Sequence, residues 1–300
     1  MAFTKKVEVP VQEKAKSFAV RAAAPTLALA LPTAPSTPSN AMGDYSWLIF
    51  GTKKIGKTSL GAQFPGALFL MFEPGAKALA VYQVACSTWA HALGYLGLLE
   101  KAPKPLPFKT VVVDTGFECY QKCFEHVCRE EKIEYPREDN YGKDWKKISN
   151  EFRAFHARLG ALGLGLVVLC HEKMKESQTR TGNKFDMMVP NLSNAADDLY
   201  RAIIDNVAWY HYRDRERYLL LKGSDYAMAG CAAQANEHFC TPRGEQVFAV
   251  PMGTSAAQAY ANLSSAWANK QGQTFKDETE KFVDDAVRTS VHKKLKQRKA

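Results

Sequence analysis

Residues Gly51-Thr52-Lys53-Lys54-Ile55-Gly56-Lys57-Thr58 fit the pattern G-x-x-x-x-G-K-[ST]. They follow an apolar run at 45–50, which reads as a buried strand, and precede a stretch from Thr58 that reads as a helix. Strand, glycine loop and helix form one unit, and that unit belongs to sheets of parallel strands with helical crossovers. The two glycines let the backbone come close to a phosphate chain, and the N–H groups from Gly51 to Ser59 are then free to donate to it. Lys57 is expected to reach the β- and γ-phosphates, and the Thr58 hydroxyl to ligate Mg²⁺. ATP and Mg²⁺ are therefore the expected ligands.

The rest of the chain carries the same architecture. Strand-like runs recur at 45–50, 67–72, 110–114 and 165–170, with helical segments at 117–131 and 145–162 between them. A polar excursion at 173–186, a helix at 193–204 and two strands at 206–212 and 217–221 follow, the strands reading as a hairpin on the sheet edge. A last helix is expected at 255–268. Residues 1–42, rich in Ala, Pro, Ser and Thr, read as a disordered basic tail, 43–268 as a P-loop NTPase domain, and 269–300 as a charged basic tail.

Composition sets wider limits. Forty Lys and Arg against 31 Asp and Glu give a net charge of +9, which favours an acidic partner. Much of the excess sits near the ends, at Lys5, Lys6, Lys14, Lys16 and Arg21, and at Arg288, Lys293, Lys294, Lys296, Arg298 and Lys299. No run of apolar residues is long enough to span a bilayer. Seven cysteines without a pairing framework or a secretory signal point to a reducing cytoplasm. Cys119, Cys123, His126 and Cys128 share a helix face; buried packing is the expectation and a metal site the alternative.

Three polar residues end strands after the loop. Val111-Val112-Val113-Asp114 has the form of a Walker B strand whose carboxylate helps to hold Mg²⁺. Thr115 follows it, so there is no adjacent Asp-Glu pair, and Glu73, at the end of the apolar run Phe69-Leu70-Met71-Phe72, is the expected group acting on the attacking water. His171 ends the run Val167-Val168-Leu169-Cys170 and is either a γ-phosphate sensor or a satisfied core histidine. Ligands bind beyond the carboxyl ends of parallel strands, so Lys57, Glu73, Asp114 and His171 are expected in one crevice.

Phe72-Glu73-Pro74-Gly75, Lys109-Thr110-Val111-Val112-Val113-Asp114-Thr115, Tyr141-Gly142-Lys143-Asp144-Trp145 and Cys170-His171-Glu172-Lys173 are similar to motifs of bacteriophage-encoded RecA-like ATPases of the AAA type. The resemblance covers about residues 45–265. It implies a RecA-like core, a mostly parallel sheet flanked by helices, and ATP hydrolysis with Glu73 acting on water. It further implies a role in phage recombination, repair or replication, self-association into a ring or filament, single-stranded DNA and other recombination or replication proteins as partners, and a host-cell cytoplasmic location. Lys173, Lys175, Arg180 and Lys184 lie where RecA-like proteins place DNA-binding loops; ordinary solvated charges are the alternative. A basic finger reaching a neighbouring subunit has Arg217 and Lys222 as its candidates, with Arg213 and Arg215 beside them; a solvated edge charge is the alternative for each. A nucleotide or small-molecule kinase, or a nucleotide-switched assembly factor with slow turnover, is the competing reading.

Overall fold

The computed structural model describes residues 31, 33–35, 37–178, 182, 184–224, 226–232 and 237–270. The chain divides into two units, Met1–Thr37 and Pro38–Ala300. The second carries all the helices and strands among the described residues. The N-terminal basic residues, Arg180 and the basic C-terminal arm lie outside the described residues.

Alternation within the strands explains the layering. In β1 (Trp47–Gly51), Trp47 and Ile49 face one core, while Leu48 and Phe50 face another. The same split separates Val112 from Val111 and Val113 in β4 (Thr110–Asp114), and Val167 and Leu169 from Val168 and Cys170 in β5 (Gly165–Gln178). Successive side chains of a strand point to opposite faces, so a strand apolar at every position must be covered on both. Helix α1 (Lys57–Gly61) and helix α6 (Ala256–Trp267) supply Leu60, Leu263 and Trp267 to the first core. Helices α2 (Trp89–Lys101), α3 (Gly116–Glu130), α4 (Lys143–Ala161) and α5 (Asn194–Ile203) cover the other face.

Ten strands of the described residues form the sheet, with the path β10 (Ala249–Pro251)-β8 (Glu216–Leu220)-β7 (Asn206–Arg213)-β1-β5-β4-β2 (Ala67–Met71)-β3 (Tyr82–Ala85), while β6 (Lys184–Pro190) pairs with β5 and β9 (Gly230–Cys231) with β7. The five central strands, β7 (Asn206–Arg213), β1, β5, β4 and β2 (Ala67–Met71), are parallel. The strand carrying His171 therefore lies between the glycine-loop strand and the Asp114 strand. All these strands end on the same side, which brings the polar residues at their ends together.

Three features differ from the sequence expectation. The hairpin of β7 and β8 (Glu216–Leu220) is not at the edge, because β10 (Ala249–Pro251) pairs with β8 outside it. The opposite edge is β3 (Tyr82–Ala85), a short, largely exposed strand whose sequence lacks the apolar signature of a buried one. The polar excursion after His171 is a β-ribbon: β5 runs on to Gln178 and pairs antiparallel with β6 (Lys184–Pro190).

Residues 39–42, assigned from sequence to the tail, are tied to the globular unit. Tyr45 donates its hydroxyl to Ser39 O at 2.9 Å, Trp267 Nε1 donates to Asn40 O at 2.9 Å, and Met42 is buried. Cys119, Cys123 and Cys128 pack into the second core among Ile148, Phe152 and Tyr120, as their helix spacing predicts. Burial raises the Cys119 and Cys123 thiols above their usual range, so both are uncharged packing groups.

Candidate nucleotide site

The glycine loop is built by close backbone approach. Gly51 ends β1 in register with Tyr210 of β7, and a Cβ at this position would lie 1.9 Å from Tyr210 O. Gly56 has φ 108°, a conformation that side chains rarely adopt. Ile55 between them is buried in the first core and anchors the loop from beneath. Helix α1 has only five residues, so the loop N–H groups and Lys57, rather than a long helix dipole, provide most of the pull on an anion.

Lys57 is buried and its Nζ donates to Gly51 O at 2.9 Å and Thr52 O at 2.8 Å. Burial lowers its pKa, opposed first by Asp114 and further by the Glu172 and Glu73 carboxylates. The ammonium is thus held at the loop, facing three carboxylates. Glu172 was not singled out in the sequence. Its Oε2 accepts from Trp209 Nε1 at 2.7 Å, and only the side-by-side placement of β5, β1 and β7 brings it near Lys57.

Thr58 Oγ1 donates to Asp114 Oδ2 at 2.8 Å, so the expected pair of metal-binding groups is assembled. A hydroxyl and a carboxylate are hard oxygen donors that fit Mg²⁺ alongside phosphate oxygens. Asp114 is fixed by its backbone as well, since Phe72 N and Glu73 N donate to Asp114 O at 2.7 and 3.3 Å. These bonds clamp the end of β2 to the end of β4. Glu73 Oε1 then lies 3.3 Å from His171 Nε2. His171 has its pKa lowered by burial first and by Lys57 next, with Glu73 opposing, so the ring is neutral near pH 7 and the contact is polar rather than ionic. His171 Nδ1 is buried with no hydrogen-bond partner among the described residues.

Asp114 supplies a pH test. Burial pushes its carboxyl up to about 6 from 3.8, with the Thr58 hydrogen bond opposing, Glu73 adding and Lys57 opposing. Because the folded pKa is above the unfolded one, the folded state binds the extra proton; this stabilisation is full below pH 3.8 and lost as pH rises through about 6. Asp114→Asn, which mimics the neutral form, should therefore raise the stability of nucleotide-free protein by at most about 3 kcal/mol at pH 8 and by little at pH 4. Urea unfolding at both pH values checks this. An equal gain at both would mean that the Asp114 charge is not the cause.

Other sequence candidates are placed differently. Lys222 follows β8 toward the end of the sheet away from the glycine loop; its Nζ reaches Gln246 Oε1 at 3.3 Å and lies 4.2 Å from the Phe248 ring centroid. Lys222 therefore cannot reach the phosphates of its own chain, because an antiparallel partner runs away from the strand ends that form the site. Arg213 and Arg215 flank the hairpin turn at the site end, Arg215 exposed. Arg217 contacts the glycine loop of its own chain, with Nη1 3.4 Å from Ile55 O. In the ribbon, Lys173 Nζ donates to Leu192 O at 2.6 Å and Lys184 pairs with Glu176 at 2.8 Å. Lys175 is exposed, and its register with Met187 puts it on the same ribbon face as Phe185.

A glycine loop closed by a lysine, a hydrogen-bonded Thr–Asp pair, and a carboxylate on a neighbouring strand end define a P-loop domain of the ATPase type. A family model described as an AAA domain matches residues 44–233, and the chain belongs to that family. No curated protein matches the sequence. Among solved structures, a KaiC-like protein from the hyperthermophilic archaeon Pyrococcus horikoshii OT3 is similar at 15% identity, over 59% of this chain and 78% of that one, with a TM-score of 0.37. No helix among the described residues is long and apolar enough to cross a membrane.

Proposed function

We propose that this chain is a Mg²⁺-dependent ATPase of RecA-like type that acts on single-stranded DNA in phage-type recombination, repair or replication. The observation that carries the ATPase reading is the meeting of Lys57, the Thr58–Asp114 pair and the Glu73–His171 pair at neighbouring strand ends. The loop N–H groups and Lys57 hold the phosphates. Mg²⁺, when bound, supplies charge neutralisation at the phosphate oxygens. Thr58 and Asp114 offer their oxygens to it. Glu73 accepts the proton of the attacking water at a carboxylate oxygen, and neutral His171 holds that carboxylate in place from 3.3 Å.

The DNA part of the proposal is supported by the sequence resemblance, the net charge of +9, and the ribbon that continues β5 directly from His171. Lys175 and Phe185 on one ribbon face offer a phosphate contact and a ring for base stacking. Self-association into a ring or filament is part of the same reading.

ATP hydrolysis by the wild type and by Lys57→Ala, with and without single-stranded DNA across a salt series, tests it. Lys57→Ala is expected to weaken ATP binding by roughly 30-fold or more, the usual cost of removing one partner of a buried charge-assisted contact. Single-stranded DNA should raise wild-type turnover at low salt and lose its effect at high salt. ATP turnover indifferent to DNA at every salt concentration would exclude the DNA role and leave the ATPase. Transfer of phosphate to a nucleoside or other small acceptor, instead of to water, would favour a kinase.

A further inference from the structure

We propose that Arg217 works in cis: it fixes the glycine loop of its own chain against residues 251–262, making that segment part of the nucleotide site. The inference rests on the ATP-site reading above and concerns a stretch beyond the 44–233 region matched by the family model.

Arg217 lies on β8, whose partner β7 forms the wall behind Gly51. Its guanidinium grips one carbonyl twice, with Nε 2.9 Å and Nη2 2.7 Å from Gly253 O. The remaining nitrogen, Nη1, donates to Ile55 O at 3.4 Å and would lie 3.2 Å from a Cβ added to Gly56. One planar group therefore spans the loop residues just before Lys57 and the turn that precedes α6. A guanidinium suits this role because its donors form a rigid fork, whereas an ammonium offers a single point of attachment.

The far side of the strap is itself anchored. Met252 N donates to Arg217 O at 2.7 Å, and Asn262 Nδ2 donates to Pro251 O at 2.9 Å. Ser255 caps α6 by accepting from Gln258 N at 3.1 Å, and Gln258 Oε1 accepts from Thr254 N at 3.0 Å. Helix α6 then packs under the helix that carries Lys57: Leu263 shares a core with Leu60, and the Tyr260 and Phe64 rings meet edge to face at 5.3 Å. The loop is thus held from two directions by one segment, through Arg217 above and through the apolar contact of α6 with α1 below. A finger acting on a neighbouring subunit would have to give up all three guanidinium hydrogen bonds, two to Gly253 O and one to Ile55 O.

Arg217 is a positioning residue on this account. Its loss should let residues 55–57 drift and weaken nucleotide binding while leaving the Glu73 chemistry in place. Binding of a mant-labelled ATP analogue and steady-state hydrolysis are measured for the wild type, Lys57→Ala, Arg217→Ala and Arg217→Lys, with a thermal melt for each. Arg217→Ala is expected to raise Kd and KM roughly tenfold or more, with kcat changed less than threefold, and Arg217→Lys to recover only part of the loss. A merely structural effect would instead lower kcat with the active fraction and leave KM alone.

Mixing Arg217→Ala with Lys57→Ala separates cis from trans. Subunits of the second variant keep Arg217 but lack a working loop, so a trans finger would restore tight binding and turnover to the mixture. No restoration is expected. Restoration, or an Arg217→Ala protein that binds the analogue as tightly as the wild type, overturns the proposal while the ATPase reading stands. A wild type that fails to bind the analogue overturns both.

Discussion

Replacing Glu73 by Gln is expected to slow ATP hydrolysis by roughly a hundred- to ten-thousandfold, the usual contribution of a positioned general base, with nucleotide affinity changed only a fewfold. Gln keeps the size and the acceptor oxygen that faces His171 Nε2 at 3.3 Å, so the local packing survives. What it cannot do is take a proton. The backbone argument points the same way, because Phe72 N and Glu73 N are bonded to Asp114 O and neither bond depends on the side chain. The replacement side chain at position 73 therefore stays where the wild-type one stands, and the phosphate-binding groups Lys57 and Thr58 are untouched. Single-turnover hydrolysis and equilibrium binding of the same analogue separate the two effects. A kcat within threefold of the wild type would remove Glu73 as the base and leave Glu172, which with Asp114 and Glu73 acts electrostatically on Lys57 and is not one of the expected metal-binding groups, as the next candidate.

Gly51→Ala should be severely damaging despite adding only a methyl group. The added methyl would sit 1.9 Å from Tyr210 O and 2.9 Å from Tyr210 C, both backbone atoms of the adjacent strand. Relief requires the ends of β1 and β7 to part, breaking the parallel pairing at Gly51 and Tyr210. It would also displace Gly51 O, which holds Lys57 Nζ. Overpacking of a core typically costs 1–3 kcal/mol, and here the obstacle is backbone, so a loss of about 4 kcal/mol or more is expected. For a domain of this size that corresponds to a fall in Tm of about 10 °C, together with loss of ATP binding. A variant that melts within 2 °C of the wild type would show that the two strands separate there more easily than their register implies.

Much of the site was legible because its parts are local in sequence. The glycine loop needs two glycines, a lysine and a hydroxyl within eight residues, and all four are found in the expected strand–loop–helix setting. Asp114 and His171 were legible as polar residues ending apolar runs, and Glu73 as the residue directly after one. The parallel register then does the rest, since aligned strands finish on one side. The ribbon at 173–190 was not legible, because both its faces are largely open to solvent and mix charged with apolar residues, so no alternation marks it as a strand. Strand β3 was missed for a similar reason: at a sheet edge there is little burial to impose an apolar pattern.

The sequence by itself determined that this chain has a P-loop in a parallel α/β sheet, which strand ends carry its polar groups, and which helix buries Cys119, Cys123 and Cys128. Those features follow from short-range chemistry: glycine dihedrals, side-chain alternation and helix periodicity. Tertiary structure alone decided that Arg217 reaches its own loop rather than projecting away, that Glu172 joins the field at Lys57, and that Lys222 lies at the opposite end of the sheet from the glycine loop of its own chain. Each of these depends on which strands are neighbours and which way they run. That is a property of contacts between residues up to 162 positions apart in the chain, as Arg217 and Ile55 are, and no local pattern encodes it.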